Sequence, residues 1–199
     1  MTNYEYSQNY FRRLMGISFL GYLYNRFFKA PILFILMRRF GSRHLEVGSG
    51  IGSGVLGAFP SYVEGLEINP LAVEFCQQKG FTVGLIKNDG RFPNNDGAFD
   101  SVLMDNVLEH ISNPELTLSE CWRVTKSDGG LFVVVPGIAG FKHDSDHKIF
   151  YDANQLESLD KRWRLQCLFS LPFGLKSKRI SFFVRQYCLV AVYKKAPDL

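Results

Sequence analysis

The sequence predicts an α/β protein with a mostly parallel sheet that ends in an antiparallel pair of strands. Short apolar runs alternate with segments of helical periodicity over residues 44–135. That alternation is typical of parallel strands joined by right-handed helical crossovers. Two further apolar runs, 164–169 and 182–193, follow each other without a long helix between them. This near-adjacency indicates an antiparallel pair, because parallel neighbours need a long crossover.

Capping residues mark where helices begin between these strands. The five alternating strands are predicted at 44–47, 61–67, 82–86, 99–104 and 131–135. Asn69 and Asn113 each precede a proline, the usual order of N-cap and first helical residue, and the helix after Asn113 is expected to reach about residue 126. Asp152 and Gln155 form a capping box. Residues 1–43 have an amphipathic helical pattern, with a second short helix expected from Pro31.

A chain of 199 residues is most simply one domain. We divide it into an N-terminal helical segment over 1–43, a central core over 44–160 and the closing strands over 161–199. The four cysteines are far apart and form no CxxC pair, which disfavours a disulfide scaffold or zinc ribbon and favours a reducing, cytoplasmic compartment. No signal peptide is apparent, and the apolar stretch 14–25 is shorter than the roughly 20 residues that span a bilayer.

The charge is unevenly distributed along the chain. Residues 1–43 carry seven bases and one acid, and residues 161–199 carry nine bases and one acid. The middle, 44–160, carries seven bases and 17 acids. Basic ends around an acidic middle indicate an anionic partner, such as a charged acceptor or a membrane surface. A basic surface that is merely solvated is an equally good interpretation.

A glycine-rich turn follows the first predicted strand. The stretch Leu45-Glu46-Val47-Gly48-Ser49-Gly50-Ile51-Gly52 is an apolar run with one acid that becomes rich in glycine. Glycine permits positive φ and close approach of the backbone to a ligand, and the next helix would point its first N–H groups into the turn. The pattern indicates a nucleotide-binding turn at the end of a buried strand.

With later segments, this turn resembles the class I S-adenosylmethionine-dependent methyltransferases, in particular the small ubiquinone-biosynthesis-type, or type 11, group. The resemblance covers roughly 40–155. Its other parts are Glu67 at the end of the second strand, the loop 88–93 before the fourth strand, and the segment 104–111 after it. It implies a Rossmann-like, doubly wound, seven-stranded sheet with helices on both faces, and S-adenosyl-L-methionine as cofactor with S-adenosyl-L-homocysteine as product.

The resemblance also implies a set of cofactor-binding residues. Glu67 suits the ribose hydroxyls, Asp89 and Gly90 the adenine edge, and Glu46 the methionine ammonium, directly or through water. The full expected set is Glu46, Gly48, Ser49, Gly50, Gly52, Glu67, Ile68, Asn69, Asp89, Gly90, Asp105 and Asn106.

Two other functions stay open at this stage. A nicotinamide-dependent oxidoreductase would share the fold, but its fingerprint expects glycine where this chain has Ser53. A non-catalytic cofactor-binding or membrane-peripheral partner protein would keep the same turn and Glu67 while lacking acceptor chemistry.

Acceptor chemistry is expected in the segment after the fifth strand. His147 is the first candidate for a general base and His110 the second, because histidine titrates near neutrality; a structural role is at least as good an interpretation for each. No metal is expected, since His143, Asp144, Asp146 and His147 are too close in an irregular loop to converge on one ion. The expected acceptor is small or lipid-linked and methylated at oxygen or carbon, with peripheral membrane contact; no nucleic-acid recognition module is present.

Overall fold

The structure is a computed structural model that describes residues 3–87, 89–174 and 176–196. The strands are β1 His44–Val47, β2 Val63–Glu67, β3 Val83–Leu85, β4 Phe99–Asp105, β5 Thr125–Pro136, β6 Trp163–Leu171 and β7 Cys188–Lys195. They form one sheet in the order β3-β2-β1-β4-β5-β7-β6. β1 to β5 are parallel, and β7 is antiparallel to both β5 and β6. The predicted mixed sheet is confirmed.

Helices cover both faces of this sheet. They are α1 Asn3–Met15, α2 Phe19–Tyr24, α3 Ala30–Met37, α4 Val55–Ala58, α5 Pro70–Gln78, α6 Glu115–Val124, α7 Ile138–His143, α8 Ala153–Glu157 and α9 Lys178–Phe183, with a π-helical turn Asn25–Lys29 and a 3-10 turn Leu108–His110. Leu33 and Leu56, from α3 and α4, share a core with Phe132. Leu118 of α6 shares the other core with Val133. Successive residues of β5 thus enter opposite cores, as the period of two requires.

The sheet order places a crevice at the carboxyl end of β1. β1 pairs with β2 on one side and β4 on the other, so the connections leave β1 in opposite directions. Open α/β sheets bind ligands in the crevice that such a divergence creates. The loop 172–187 also lies at this end, because Cys188 at the start of β7 pairs with Pro136 at the end of β5.

Two predicted strand starts differ from the structure by more than two residues. The strand expected from residue 182 begins at Cys188, and α9 precedes it because the Ser177 hydroxyl accepts a hydrogen bond from the Ile180 N–H and caps a helix there. β5 begins at Thr125 instead of Leu131, and α6 ends one residue before it. At that junction the Thr125 hydroxyl donates to the Cys121 carbonyl at 2.6 Å, occupying a terminal helical acceptor.

The N-terminal segment divides into two parts. The helix α3 begins at Ala30, one residue before the expected Pro31. The side chains of Ala30, Leu33 and Met37 are fully buried in the core. None of the residues of α2 is buried. The sheet therefore needs α3 but not α2 for its packing. Within the described ranges, no helix is both long and apolar enough to cross a bilayer.

Candidate active site

The glycine-rich turn follows β1 directly and requires its glycines. Gly48, Gly50 and Gly52 have φ values of 70°, 54° and 73°, a region that residues with a side chain rarely adopt. A Cβ on Gly48 would also collide with Val107 Cγ2, so the turn packs closely on the segment after β4. The predicted turn is therefore built into the crevice at the carboxyl end of the sheet.

The carboxylate of Glu67 joins this turn to the loop after β2. Its Oε2 accepts a hydrogen bond from the Gly50 N–H at 2.9 Å, and Oε1 accepts from the Ile68 and Asn69 N–H groups at 2.8 and 2.9 Å. The side chain is buried, and this burial raises its pKa. Since a carboxylate offers about four lone-pair positions, three backbone donors leave room for one more hydroxyl.

Glu46 is directed to the helix after the turn. Its Oε2 accepts a hydrogen bond from the Leu56 N–H in the first turn of α4 at 2.6 Å. Burial raises the pKa of Glu46 to about 7. The Ser49 hydroxyl is likewise turned inward, so close to Gly65 that a Cβ there would lie 2.6 Å from it. Both side chains support the turn from beneath, and only the Ser49 backbone is available to a ligand.

Two of the residues expected around adenine, Ile68 and Asp89, are exposed, and Gly90 is half-buried. Ile68 is 65% exposed, and a Cβ on Gly90 would lie 2.7 Å from Leu116 on α6. Asp89 is exposed, and its Oδ1 accepts from the Arg91 N–H at 3.0 Å. Asn88 lies outside the described residues.

Asn69 has a structural place beside them. Its Oδ1 accepts a hydrogen bond from the Leu71 N–H and caps α5, as predicted, while Nδ2 donates to the Ser7 carbonyl of α1.

At the end of β4, Asp105 is held by a buried lysine. Lys29 Nζ lies 2.9 Å from Asp105 Oδ2, and Asn106 Nδ2 donates to Asp105 Oδ1 at 2.9 Å. Although burial opposes its charge, Lys29 has a raised pKa because Asp105 stabilises the ammonium. Sequence reasoning missed Lys29 as a site residue; the available signal was a single lysine between aromatic and apolar residues.

The two candidate histidines meet beside Glu109. The rings of His110 and His147 lie 4.5 Å apart between centroids, and His147 Nε2 is 3.7 Å from Glu109 Oε1. Burial raises the pKa of Glu109 to about 8. Burial also lowers the pKa of His110, and the neighbouring His147 lowers it further. Sequence reasoning missed Glu109, although an acid framed by Leu108 and Ile111 was a visible signal. Among the described residues, His147 is grouped as a possible metal ligand with Glu109 and His110, and not with His143, Asp144 or Asp146.

Helix α1 crosses the glycine-rich turn. A Cβ on Gly50 would lie 3.5 Å from Leu14 Cδ2, and Phe11 packs edge-on against Phe75 of α5. Arg13 forms ion pairs with Asp144 and Asp146 beyond α7. The helix therefore contacts the turn at Gly50 and also reaches the segment after α7.

These features fit an S-adenosyl group. Three alternate glycines with left-handed φ line the turn, the buried Glu67 has one acceptor position to spare, and exposed Ile68 offers an apolar surface. An amino acid, a diol and a purine need these three kinds of surface in turn.

Comparison with known proteins agrees with this geometry. A family profile described as a methyltransferase domain matches residues 45–133. Among curated proteins, none matches the chain significantly.

Several solved structures share the fold. A TehB-like S-adenosylmethionine-dependent methyltransferase from Corynebacterium glutamicum is 22% identical with a TM-score of 0.65, and the match covers 98% of this chain and 100% of that one. A methyltransferase from Aquifex aeolicus is 18% identical with a TM-score of 0.61, covering 87% of this chain and 93% of that one. A putative methyltransferase from Haloferax volcanii, in complex with the activator Trm112, is 13% identical with a TM-score of 0.62, covering 87% and 96%.

Proposed function

Because this chain carries a class I S-adenosylmethionine-dependent methyltransferase domain, we propose that it methylates oxygen or carbon of an acceptor presented at a lipid surface. The chain is an S-adenosylmethionine-dependent enzyme of the predicted fold. We propose that residues 1–199 act as one domain, since α3 packs into the core and β6 and β7 complete the sheet.

We propose that the cofactor lies across the glycine-rich turn. Glu67 then accepts a ribose hydroxyl, Ile68 and Leu116 enclose the adenine, and Asp89 and Gly90 meet its polar edge. The backbone at Gly48, Ser49, Gly50 and Gly52 faces the methionine portion, with Asp105 and Asn106 at its end. Glu46 and Asn69 serve as positioning residues, because their polar atoms hold α4 and α5.

When bound, the cofactor supplies a methyl group carried on a sulfonium, and the rest of the cofactor leaves as a neutral thioether. The protein's part is to align the acceptor and exclude water, and to help the acceptor lose a proton where it must. We propose that His147 and His110, beside Glu109, provide that help. They follow the ends of β5 and β4, and Val107, two residues before Glu109, contacts the glycine-rich turn.

The observation that carries the choice of acceptor is a set of large apolar side chains exposed on two segments, one before Lys29 and one before β7. We propose that they form one surface, which we call the aromatic face, with the members Phe19, Leu20, Phe27, Phe28, Phe173, Phe182 and Phe183. Leu20 is 77% exposed and Phe183 is 88% exposed. Large exposed apolar surfaces mark interaction sites.

Two contacts support placing the aromatic face beside the acceptor. Phe27 and Phe28 immediately precede Lys29, which binds Asp105 at the end of β4. The ammonium nitrogen of Lys142 lies 5.4 Å from the centre of the Phe182 ring. Lys142 belongs to α7, the helix that leads to His147. Aromatic side chains prefer the bilayer interface, so the acceptor would enter the crevice from the lipid side.

The basic charge around this face differs from the sequence-based expectation. Arg13 and Lys29 neutralise acids within the protein, so they do not belong to a membrane-facing basic surface. Arg179 and Arg185 are exposed on either side of Phe182 and Phe183. Each base near an anionic surface contributes about 1 kcal/mol, so these two favour anionic headgroups.

Vesicle co-sedimentation tests the surface. Wild-type protein is expected to sediment with phosphatidylglycerol-containing vesicles more than with phosphatidylcholine vesicles, and Phe27→Ser/Phe183→Ser is expected to lose most of this binding. Ile35→Ser is the matched control, because Ile35 is 64% exposed on α3 and outside the aromatic face. Equal sedimentation of all three proteins would contradict lipid docking.

A labelling assay tests the acceptor itself. With methyl-labelled cofactor and a cell extract, we expect label in the organic phase after lipid extraction. Label confined to small molecules of the aqueous phase, or to a co-purifying protein, would overturn the lipid-surface acceptor while leaving methyl transfer intact. Light scattering of the wild type and of Phe27→Ser/Phe183→Ser gives their molar masses. A dimer that is lost in the variant would indicate self-association through the aromatic face.

A further inference from the structure

We propose that Glu109, His110 and His147 form a binding site for one divalent transition-metal ion, best suited to Zn²⁺. One potential ligand atom of each residue lies within 4.8 Å of the other two. The three residues come from two loops, one after β4 and one after β5, so they surround a common space. Two imidazoles and a carboxylate are a well-known ligand set for Zn²⁺, and three protein ligands leave a position open.

The hydrogen bonds of His147 direct one of its nitrogens at Glu109. Its Nδ1 lies 2.8 Å from the Phe141 carbonyl oxygen, which only accepts, so Nδ1 carries the proton. In the neutral ring, Nε2 then has a lone pair, and it faces Glu109 Oε1 at 3.7 Å. Two electron-pair donors therefore face each other, and a cation between them would bind both.

His110 has an arrangement of the same type. The backbone of Asp146 acts on its imidazole and opposes the lowering of its pKa by burial. Metal-binding histidines commonly fix their orientation by donating the second ring N–H to a backbone carbonyl or a carboxylate. The segment 141–146 therefore provides backbone groups next to both imidazoles.

Glu109 gives an independent reason to expect a ligand. Its side chain is fully buried, and neither carboxylate oxygen has a hydrogen-bond partner of ordinary geometry among the described residues. Burial without a partner carries a free-energy cost for a carboxylate, which either a proton or a cation removes. Metal coordination would compensate this cost, whereas Lys29, the buried cation nearby, is committed to Asp105.

One ligand pair has the spacing of a compact metal centre. Ligands at about 2.0–2.1 Å from a tetrahedral Zn²⁺ lie about 3.3 Å apart, close to the observed 3.7 Å between His147 Nε2 and Glu109 Oε1. At the open position, the ion would lower the pKa of an acceptor hydroxyl, so that its proton leaves to water. This role deepens the proposed function, but metal binding itself does not depend on it.

Cobalt spectroscopy tests the site without cofactor or acceptor. The chelator-treated full-length protein is titrated with Co²⁺, and we expect visible d–d absorption that saturates at one ion per chain and disappears on adding Zn²⁺. Glu109→Gln and His147→Gln are each expected to weaken binding at least about tenfold. His143→Gln is the matched control, because His143 is an exposed histidine of the same segment.

Thermal unfolding with and without Zn²⁺ separates lost binding from lost folding. Zn²⁺ should raise the midpoint of wild type and His143→Gln but not of Glu109→Gln, whose metal-free midpoint should stay near or above that of wild type. The proposal is overturned if no saturable Co²⁺ binding occurs, or if Glu109→Gln and His147→Gln bind Co²⁺ as wild type does. Glu109 would then be a buried acid that shares a proton with His147.

Discussion

Lys29 Nζ lies 2.9 Å from both carboxylate oxygens of Asp105, and each side chain is less than one-tenth exposed. This ion pair joins the π-helical turn before α3 to the end of β4. It ties the segment that carries Phe27 and Phe28 to the strand end that borders the crevice. This buried contact therefore helps to hold Phe27 and Phe28 beside the crevice.

We expect Lys29→Met to lower the free energy of unfolding by about 3–5 kcal/mol, because Asp105 would remain charged and buried without its partner. Urea denaturation measures this change. Lys29→Met/Asp105→Asn should recover a substantial part of the loss, since no uncompensated charge remains. Strict additivity of the two single substitutions would show that the pair is not coupled.

Replacement of Glu67 tests the cofactor-binding proposal. Glu67→Ala should weaken binding of S-adenosylhomocysteine by about 1–3 kcal/mol, the loss typical of a hydrogen bond to a charged group. Isothermal calorimetry gives the affinity, with thermal unfolding to confirm a folded variant. Glu64→Ala is the control, because Glu64 lies on the same strand as Glu67 and its side chain pairs with Arg43. Unchanged affinity in Glu67→Ala would remove Glu67 from the site.

A side chain at Gly50 should block the cofactor. Gly50→Val is expected to abolish binding while the chain still folds, because the branched side chain would enter the path of the methionine portion below Leu14. Gly80→Val imposes the same kind of backbone strain at φ +81°, with no atom within 4 Å of the new Cβ. Binding should survive in that variant at comparable stability. Normal binding by Gly50→Val would show that the turn does not hold the cofactor.

The buried Glu46 should make stability depend on pH. Its pKa is about 7 in the folded protein and 4.5 for the ordinary side chain, so between these values the folded state binds more protons than the unfolded state. The free energy of unfolding should therefore fall as the pH rises through this window. Glu46→Gln keeps an oxygen for the Leu56 N–H but cannot titrate, so its decline should be smaller. Denaturation curves at several pH values measure both slopes; identical slopes would show that Glu46 does not titrate there.

Features encoded by neighbouring residues were predictable. The bounds of β1, the left-handed glycines after it, the N-cap at Asn69 and the capping box of Asp152 and Gln155 all agree with expectation. Each depends on hydrogen bonds or backbone preferences within a few residues, which the local sequence specifies. The helix α9 escaped prediction because two of its three apolar residues, Phe182 and Phe183, are exposed, while its composition suggested a buried strand.

The sequence by itself determined the alternating α/β order, the antiparallel closing strands and the glycine-rich turn after β1. Only the tertiary structure decided which side chains share the crevice. Lys29 and Asp105 are 76 residues apart, and His147 reaches Glu109 from another loop. Such pairs leave no periodic trace in the chain, because they depend on how the strand ends align after the sheet forms. The burial of Glu109 without a partner arises in the same way, from packing around it rather than from its neighbours in sequence.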